Sequence, residues 1–511
     1  MAVTSFAAMH VGLAVMTLRV YQLNKKSGIS CMDELAHPIK CGVELYSEGR
    51  LSFESVDEIT DVLKEFQLKL LEYGIENAQL YVASSLGEAK NIEFVLNQIR
   101  LKTGLKPKLL NNSKERYLML QSIARSMPNF NEVIQKGTLI LEIGYGSVQI
   151  TIYDQSNLIA TQNISIGLQR ITEFLSRVES RTSHYPELIS EYLKSDMEEF
   201  KRLYLQKVKI ENFIVVGREI SHLNTLQKQN GFGIYTLDDL KAIHERFSKH
   251  SMLELSNQYD LPYEQVKLMS PLYLILKGFF EMSSVERMYC PDVHICDGIV
   301  TDYGYKKLGI FSGHHFTEDR LSGAKHLAER FGCDMVHNEY VAKVAKILFK
   351  ALAKPYGLTN KDSQILELAS ILHNCGRYVN LHFEDDLSYH IVKESEFINL
   401  SDTNRDLIAC VLKYKNREFP AYRELNEPSL NNDYYVILAR LTAIFRIAEA
   451  LDDCHLQKMT NIKAVIKGDE FVIRATSYMD ILIEESEFEE SSKLFVEVFG
   501  LKPVLKCKRS V

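Results

Sequence analysis

The sequence has no surplus of positive charge: among its 511 residues, 60 Lys and Arg stand against 67 Asp and Glu, a net charge of −7. That excludes a global basic field able to hold nucleic acid or an anionic membrane, so any anionic ligand must be held locally. It also lacks any Cys-x-x-Cys pair. Its nine cysteines are scattered between Cys31 and Cys507, which argues against a disulfide framework and a zinc knuckle and fits a reducing cytoplasm. No uncharged run approaches the roughly 20 residues that cross a bilayer. The apolar start FAAMHVGLAVM has no Lys or Arg before it and a histidine within it, unlike a secretory leader. It reads as a strand, a turn and a second strand. Gly/Ser linkers and low-complexity segments are missing too, so the units of the chain are expected to pack together.

What is there is an ordinary globular composition, 46% hydrophobic and 25% charged, with length for roughly three to four domains. Residues 139–150 read LILEIGYGSVQI, a strand, then Gly-Tyr-Gly-Ser, then a second strand. Glycine lets backbone amides reverse and point together at one anion. The functional expectation is a phosphate cradle at Gly144, Gly146 and Ser147; the structural one is a tight hairpin. The same pattern opens the chain, where Gly12 follows the apolar run of residues 4–11. Each hairpin is followed by helical periodicity, as in SVDEITDVLKEFQLKLLEYG, and then by a compact strand, AQLYVAS or NFIVVG. This predicts a duplicated α/β fold with a cleft between two lobes, with two unrelated α/β units as the alternative. From about 305 to 455 strand signal is nearly absent, and Val341, Val344, Ala345 and Leu348 share one helix face, stopped by Pro355 and Gly357. After 455, alternation returns around a Gly468-Asp469 hairpin turn.

Several segments carry a resemblance: VASSLGEAKNIEFVLNQIRLKTGL, ILEIGYGSVQI, SIGLQRITEFL, CDGIVTDYGY, ILHNCGRYVN, FRIAEALDDCHLQK and VFGLKPVLK. In order and spacing they resemble the exopolyphosphatase and guanosine-pentaphosphate phosphohydrolase (Ppx/GppA) family, long form, over essentially the full length. The resemblance implies two RNase H-like lobes of the actin-like (ASKHA) kind at 1–127 and 128–305, an all-α HD-like domain at 306–455, and a small α+β module at 456–511. It implies water attack on the terminal phosphate of polyphosphate or guanosine penta/tetraphosphate, with Mg²⁺ as cofactor, in a cytoplasmic protein. A homodimer is among the states it allows.

The chemistry needs backbone amides on phosphate, carboxylates on Mg²⁺ and a carboxylate orienting water. The family supplies these with motifs from which this chain departs as a divergent member. His10 stands for the first-loop Asp, and Leu13-Ala14-Val15 for Ser-Asn-Ser, with Gly12 kept. Gly87 falls on the phosphate-binding arginine position. NNSKERYL keeps one carboxylate, Glu115, as the candidate to orient water. In the second loop Glu142 replaces Asp, Tyr145 a glycine and Gln149 the glutamate, while Gly217-Arg218-Glu219 stands for Gly-Gly-Thr. Gln149 can position water but takes no proton. Glu142 is the candidate metal carboxylate, with Glu44 and Glu48 as carboxylates the first lobe could have recruited. The same resemblance puts HD-type metal ligands at His337, His373, Asn374 and Glu449, with Asp385 and Asp386 where related chains have further histidines. Asn374 removes a bridging anion, so no tightly bound divalent pair is expected there. Three readings follow: a weakly active phosphohydrolase; a non-catalytic phosphate-sensing or scaffold protein using the interlobe cleft; and metal-dependent phosphohydrolase chemistry in the helical domain alone, which Asn374 disfavours.

Overall fold

Two glycine-turned hairpins start two sheets with the same winding. The computed structural model describes residues 4–179, 185–227, 231–259, 263–283, 285–311 and 313–509, divided into two compact units, Met1–Asp319 and Arg320–Val511. In the first sheet β1 (Thr4–Val11) pairs antiparallel with β2 (Val15–Asn24), and β2 with β3 (Gly28–Pro38). On its other side β1 runs parallel to β4 (Ala78–Val82), and β4 to β5 (Lys108–Leu109). The second sheet repeats this. β6 (Thr138–Ile143) is antiparallel to β7 (Val148–Asp154), which pairs with β8 (Asn157–Ile164). β6 is also parallel to β9 (Asn212–Val216). β10 (Phe232–Tyr235) lies antiparallel on β11 (Met288–Pro291), giving the order β10-β11-β9-β6-β7-β8.

Central strands covered on both faces need continuous apolar runs. Phe6 to Met9 in β1 and Leu139 to Leu141 in β6 meet that demand, each at most 3% exposed. Between β3 and β4 the helix Phe53–Glu72 starts at Ser52, whose hydroxyl accepts from the Ser55 N–H at 3.1 Å. Its Val56, Ile59, Leu63, Phe66 and Leu70 form one buried stripe in the core of the first sheet, each side chain contributing about 1.5–3 kcal/mol by leaving water.

The helix Ile295–Leu308 runs through residue 305, where the sequence reading ended the second lobe, and packs on β1 and on the helix Asn112–Ser126 of the first. Gly298 permits the approach, since a Cβ there would lie 1.8 Å from the Leu118 carbonyl oxygen. Helical periodicity announces such an element without saying which lobe it returns to.

In the second unit the helices Met335–Tyr356, Asn360–Leu372, Glu384–Glu394, Asp402–Lys413 and Asn432–Ala450 precede a sheet. Gly357, with φ 65°, ends the first of them one residue after the helix limit. β12 (Met459–Lys467) pairs antiparallel with β13 (Glu470–Ser477) across Gly468, and β14 (Lys502–Arg509) adds parallel to β13 after the helix Leu482–Phe499. The expected module at 456–511 has no core of its own. Phe471, Ile473 and Phe495 share one with Leu348, Leu372 and Phe445, and the Tyr340 hydroxyl bonds the Met459 carbonyl at 2.6 Å. Packing against helices is one of the ways so small a sheet is stabilised. Among the described residues no helix is long and apolar enough to cross a membrane.

Candidate functional site

A cleft of about 340 Å³ in the first unit is lined by both hairpin tips. The two tips are built alike. The Gly12 N–H donates to the Val15 carbonyl and the Gly144 N–H to the Ser147 carbonyl, both at 3.0 Å. Each is then tied to the start of a helix, Gly42 N–H to the Leu13 carbonyl at 2.8 Å and Gln169 N–H to the Tyr145 carbonyl at 2.9 Å. Among the described residues these bonds leave the N–H groups of Leu13, Ala14, Tyr145, Gly146 and Ser147 without a protein acceptor, and all five residues line the cleft. Gly146 is glycine because a Cβ would sit 2.1 Å from the Tyr46 hydroxyl.

The candidate catalytic residues gather at the same cleft. Glu142 and Gln149 are register partners across β6 and β7. Glu115 projects from the helix Asn112–Ser126 and accepts from the Ser84 N–H at 3.1 Å and from the Ser84 hydroxyl. Burial pushes the Glu142 carboxyl up to about 8, the Glu115 charge adds to the push, and the Arg116 guanidinium opposes it. Burial raises Glu115 as well, against Ser84 and Arg116. With no cation beside it Glu142 is therefore pushed toward its neutral form, in which a carboxyl is a hydrogen-bond donor. Gln149 is 6% exposed and its Oε1 accepts no hydrogen bond among the described residues. Burial lowers His10 to about 4 and leaves its ring neutral.

Four residues of this site escaped sequence reasoning. The His10 ring meets the His294 ring edge-on at 6.1 Å; His294 Nδ1 accepts from the Cys296 N–H, capping the helix Ile295–Leu308, and burial holds it neutral. Arg116, 1% exposed, donates to the Gln162 carbonyl of the other lobe at 2.9 Å. Arg170 donates to the Gly146 carbonyl at 2.9 Å and to Glu88 at 2.8 Å, and lies 4.6 Å over the Tyr46 ring. Arg218, quoted in the sequence only as a departure, lines the cleft, and its Nε has no acceptor among the described residues. The Tyr145 hydroxyl reaches Glu219 at 2.6 Å. An arginine inside an apolar helical stripe is visible in a sequence; a partner 46 or 82 positions away is not. Glu44 is consumed by Ser52 and Ser55 at the start of a helix, and neither it nor Glu48 lines the cleft.

Mg²⁺ wants a near-octahedral set of hard oxygens with carboxylate charge. Here Glu115 is tied to Ser84, Glu142 is driven toward its neutral form, and a guanidinium acts on both. Among the described residues no three His, Cys, Asp or Glu side chains are grouped to hold a metal. The residues present do not fit a resident Mg²⁺.

In the second unit His337, His373, Asn374 and Glu449 do come together. His337 Nε2 is 3.2 Å from His373 Nε2, which is 3.7 Å from Glu449. Asp452, 2.9 Å from His337 Nδ1, and the stacked His455 ring complete that side. Passed over in the sequence, Lys415 follows the helix Asp402–Lys413 and puts its Nζ 2.8 Å from Glu384, 3.3 Å from Glu449 and 3.3 Å from Asn374. Asp385 lies 3.7 Å away, while Asp386 faces Arg417. Burial alone would lower the Lys415 ammonium, but Glu449 and Glu384 outweigh it and the net direction is up. Burial raises Asp385 to about 6, whereas Lys415 pulls Glu384 down against its own burial.

Comparison with known proteins gives a consistent family. The sequence model described as Ppx/GppA phosphatase family matches residues 20–304, and that described as Ppx/GppA phosphatase, domain III, matches residues 320–486. A Fusobacterium nucleatum protein, bifunctional 3-dehydroquinate synthase/phosphatase, is 23% identical over 188 residues, 35% of this chain and 26% of that protein, so this chain spans about a quarter of that relative's length. Similar solved structures include an exopolyphosphatase from Cytophaga hutchinsonii, with TM-score 0.53 and 13% identity over 61% of this chain and all of that one. A Ppx/GppA family member from Aquifex aeolicus has TM-score 0.50 and 17% identity over 60% of this chain and 99% of that one. At such identities the likeness shows the fold, an actin-like pair of mixed α/β sheets.

Proposed function

The chain belongs to the Ppx/GppA phosphatase family, and from that premise we propose that its interlobe cleft binds the phosphates of polyphosphate or of guanosine penta/tetraphosphate and hydrolyses them far more slowly than a typical member. The observation that carries this reading is the set of five amides without protein acceptors, from both hairpin tips, in one cleft with the Arg218 guanidinium. Amides and a guanidinium suit phosphate oxygens. In the reaction, water attacks the terminal phosphorus, the anhydride P–O bond breaks, and Glu115 takes the proton while Gln149 orients the water. The charge that should meet the transition state is reduced: His10 and Gln149 are neutral, and burial pushes Glu142 toward its neutral form. Each lost preorganised group costs about 2.7–4 kcal/mol, a factor of 10²–10³, and the losses act as a unit rather than as a sum.

Purified protein titrated with tripolyphosphate and with pppGpp should show saturable binding, weakened by Arg218→Ala, together with slow phosphate release that falls further in Glu115→Gln. Gln149→Glu combined with His10→Asp should raise release in the presence of Mg²⁺. Fast wild-type release that survives Glu115→Gln would overturn the catalytic assignment, and absence of binding would overturn the cleft. Sensing without turnover is the second reading, favoured by Arg170, which ties the second hairpin tip to Glu88 of the other lobe. We further read the helices of 306–455 as HD-like, the protein as cytoplasmic, and pairing of two chains as a homodimer as open to a sedimentation test.

A further inference from the structure

We propose that the Lys415 ammonium is a built-in substitute for a divalent cation, so that Asn374, Glu384 and Glu449 surround a cation position filled by the chain's own side chain, which together with His373 becomes open to Mn²⁺ or Zn²⁺ only when Lys415 is removed. The inference is independent of what the interlobe cleft binds.

The geometry is that of a cation site. Lysines ordinarily carry the ammonium to water along a flexible stem, yet this side chain is 0% exposed. The oxygens around it come from three separate segments: Asn374 just past the helix Asn360–Leu372, Glu384 at the start of Glu384–Glu394, and Glu449 in the last turn of Asn432–Ala450. An ammonium has three N–H donors, and three acceptors lie within 3.3 Å, at 2.8, 3.3 and 3.3 Å. Asp385, at 3.7 Å, stands outside that set.

The charges match a monovalent ion. Glu384 also bonds Arg377, which takes up part of its charge, and Asn374 contributes a neutral amide oxygen where a carboxylate would add a third negative charge. A divalent ion wants that third charge; a single ammonium does not. Nor are the distances those of a metal, because Zn–O bonds run near 2.0–2.2 Å and the shortest Nζ–O contact is 2.8 Å. Closing around an ion requires the carboxylates to move in by about 1 Å, within the reach of glutamate rotamers. His373 supplies the imidazole such an ion prefers, its Nδ1 held 2.7 Å from the Ser370 carbonyl oxygen and its Nε2 toward Glu449.

The test uses the full chain, thermal unfolding and metal content, with Mn²⁺ and Zn²⁺ as probes. Wild type should carry no stoichiometric metal, and its unfolding midpoints should not move with either ion. Lys415→Ala should lower a midpoint by roughly 10 °C, and Mn²⁺ or Zn²⁺ should restore part of it with uptake of one ion per chain. His373→Ala added to Lys415→Ala should abolish the rescue. If Lys415→Ala does not fold in either ion, Lys415→Met with Glu384→Gln and Glu449→Gln removes the charges that need a cation, and should fold without metal and ignore it. Stoichiometric metal in wild type lost with His373→Ala, an unmoved midpoint in Lys415→Ala, a folded Lys415→Ala blind to both ions, or failure of the charge-free triple variant to fold would each overturn the proposal.

Discussion

Two buried carboxylate clusters in this chain face the same physical problem and differ in the answer. At the helix-end cluster of the second unit an ammonium lies among the carboxylates, and Glu384 is pulled below its ordinary range. At the interlobe cleft burial outweighs the Arg116 guanidinium, and Glu142 is raised to about 8. Taking a carboxylate out of water requires either a cation at contact distance or a proton. One cluster holds the cation and the other the proton. In both clusters the buried negative charge is balanced locally, by one side chain or one proton, and neither solution needs a special backbone.

The largest expected effect comes from removing the buried ammonium. Lys415→Met leaves buried negative charge uncompensated and should destabilise the second unit by roughly 3–5 kcal/mol, read by denaturant unfolding. A cost below about 1 kcal/mol would mean that Lys415 is incidental packing. The cleft gives the next effect. His10 titrates near 4 in the fold against 6.5 unfolded. A base whose folded pKa is lowered contributes stability that is full above pH 6.5 and is lost as pH falls toward 4, about 3 kcal/mol in all. His294 is shifted the same way. His10→Asn should therefore flatten the acid limb of the first unit's stability curve, and an unchanged slope would count against a neutral buried ring.

These residues also mark what the sequence could and could not tell. The hairpin tips at Gly12 and Gly144 were legible because a glycine between two alternating strands is local chemistry, and both line one cleft. The gathering of His337, His373, Asn374 and Glu449 was legible through resemblance. Lys415 was not, since one lysine after a helix looks like any surface lysine until three other segments close over it. Arg116 and Arg170 hid for the same reason, their partners being far off in the chain. Sequence periodicity also does not say where an element's core lies: Ile295–Leu308 packs on the first lobe, and the last sheet shares the core of the helices.

Glu142→Gln tests the carboxyl that burial pushes toward its protonated form. A carboxyl whose folded pKa is raised contributes stability that is full below about 4.5 and is lost as pH rises through about 8. The variant cannot ionise, so it should match wild type in mild acid and become more stable than wild type as pH approaches 8. Discounted for the partial exposure of the site, the gain is about 2 kcal/mol. Denaturation midpoints at pH 5 and pH 8 decide this, and a variant equally destabilised at both would show that Glu142 is charged and partnered after all.

The smallest effect belongs to a charge pair that needs neither solution. Arg170 and Glu88 bridge the lobes with side chains 28% and 46% exposed, so water and salt already stabilise both charges. Glu88→Gln should cost only about 0.2–1 kcal/mol and less in high salt. Arg170→Ala removes more than that ion pair, because the same guanidinium also holds the Gly146 carbonyl and covers the Tyr46 ring. Its cost should exceed that of Glu88→Gln and be largely insensitive to salt. Since Gly146 belongs to the tip we propose as the phosphate-binding one, tripolyphosphate affinity should fall in Arg170→Ala and hold in Glu88→Gln. Equal losses of affinity in the two variants would mean that the ion pair itself, rather than the tethered hairpin, shapes the cleft.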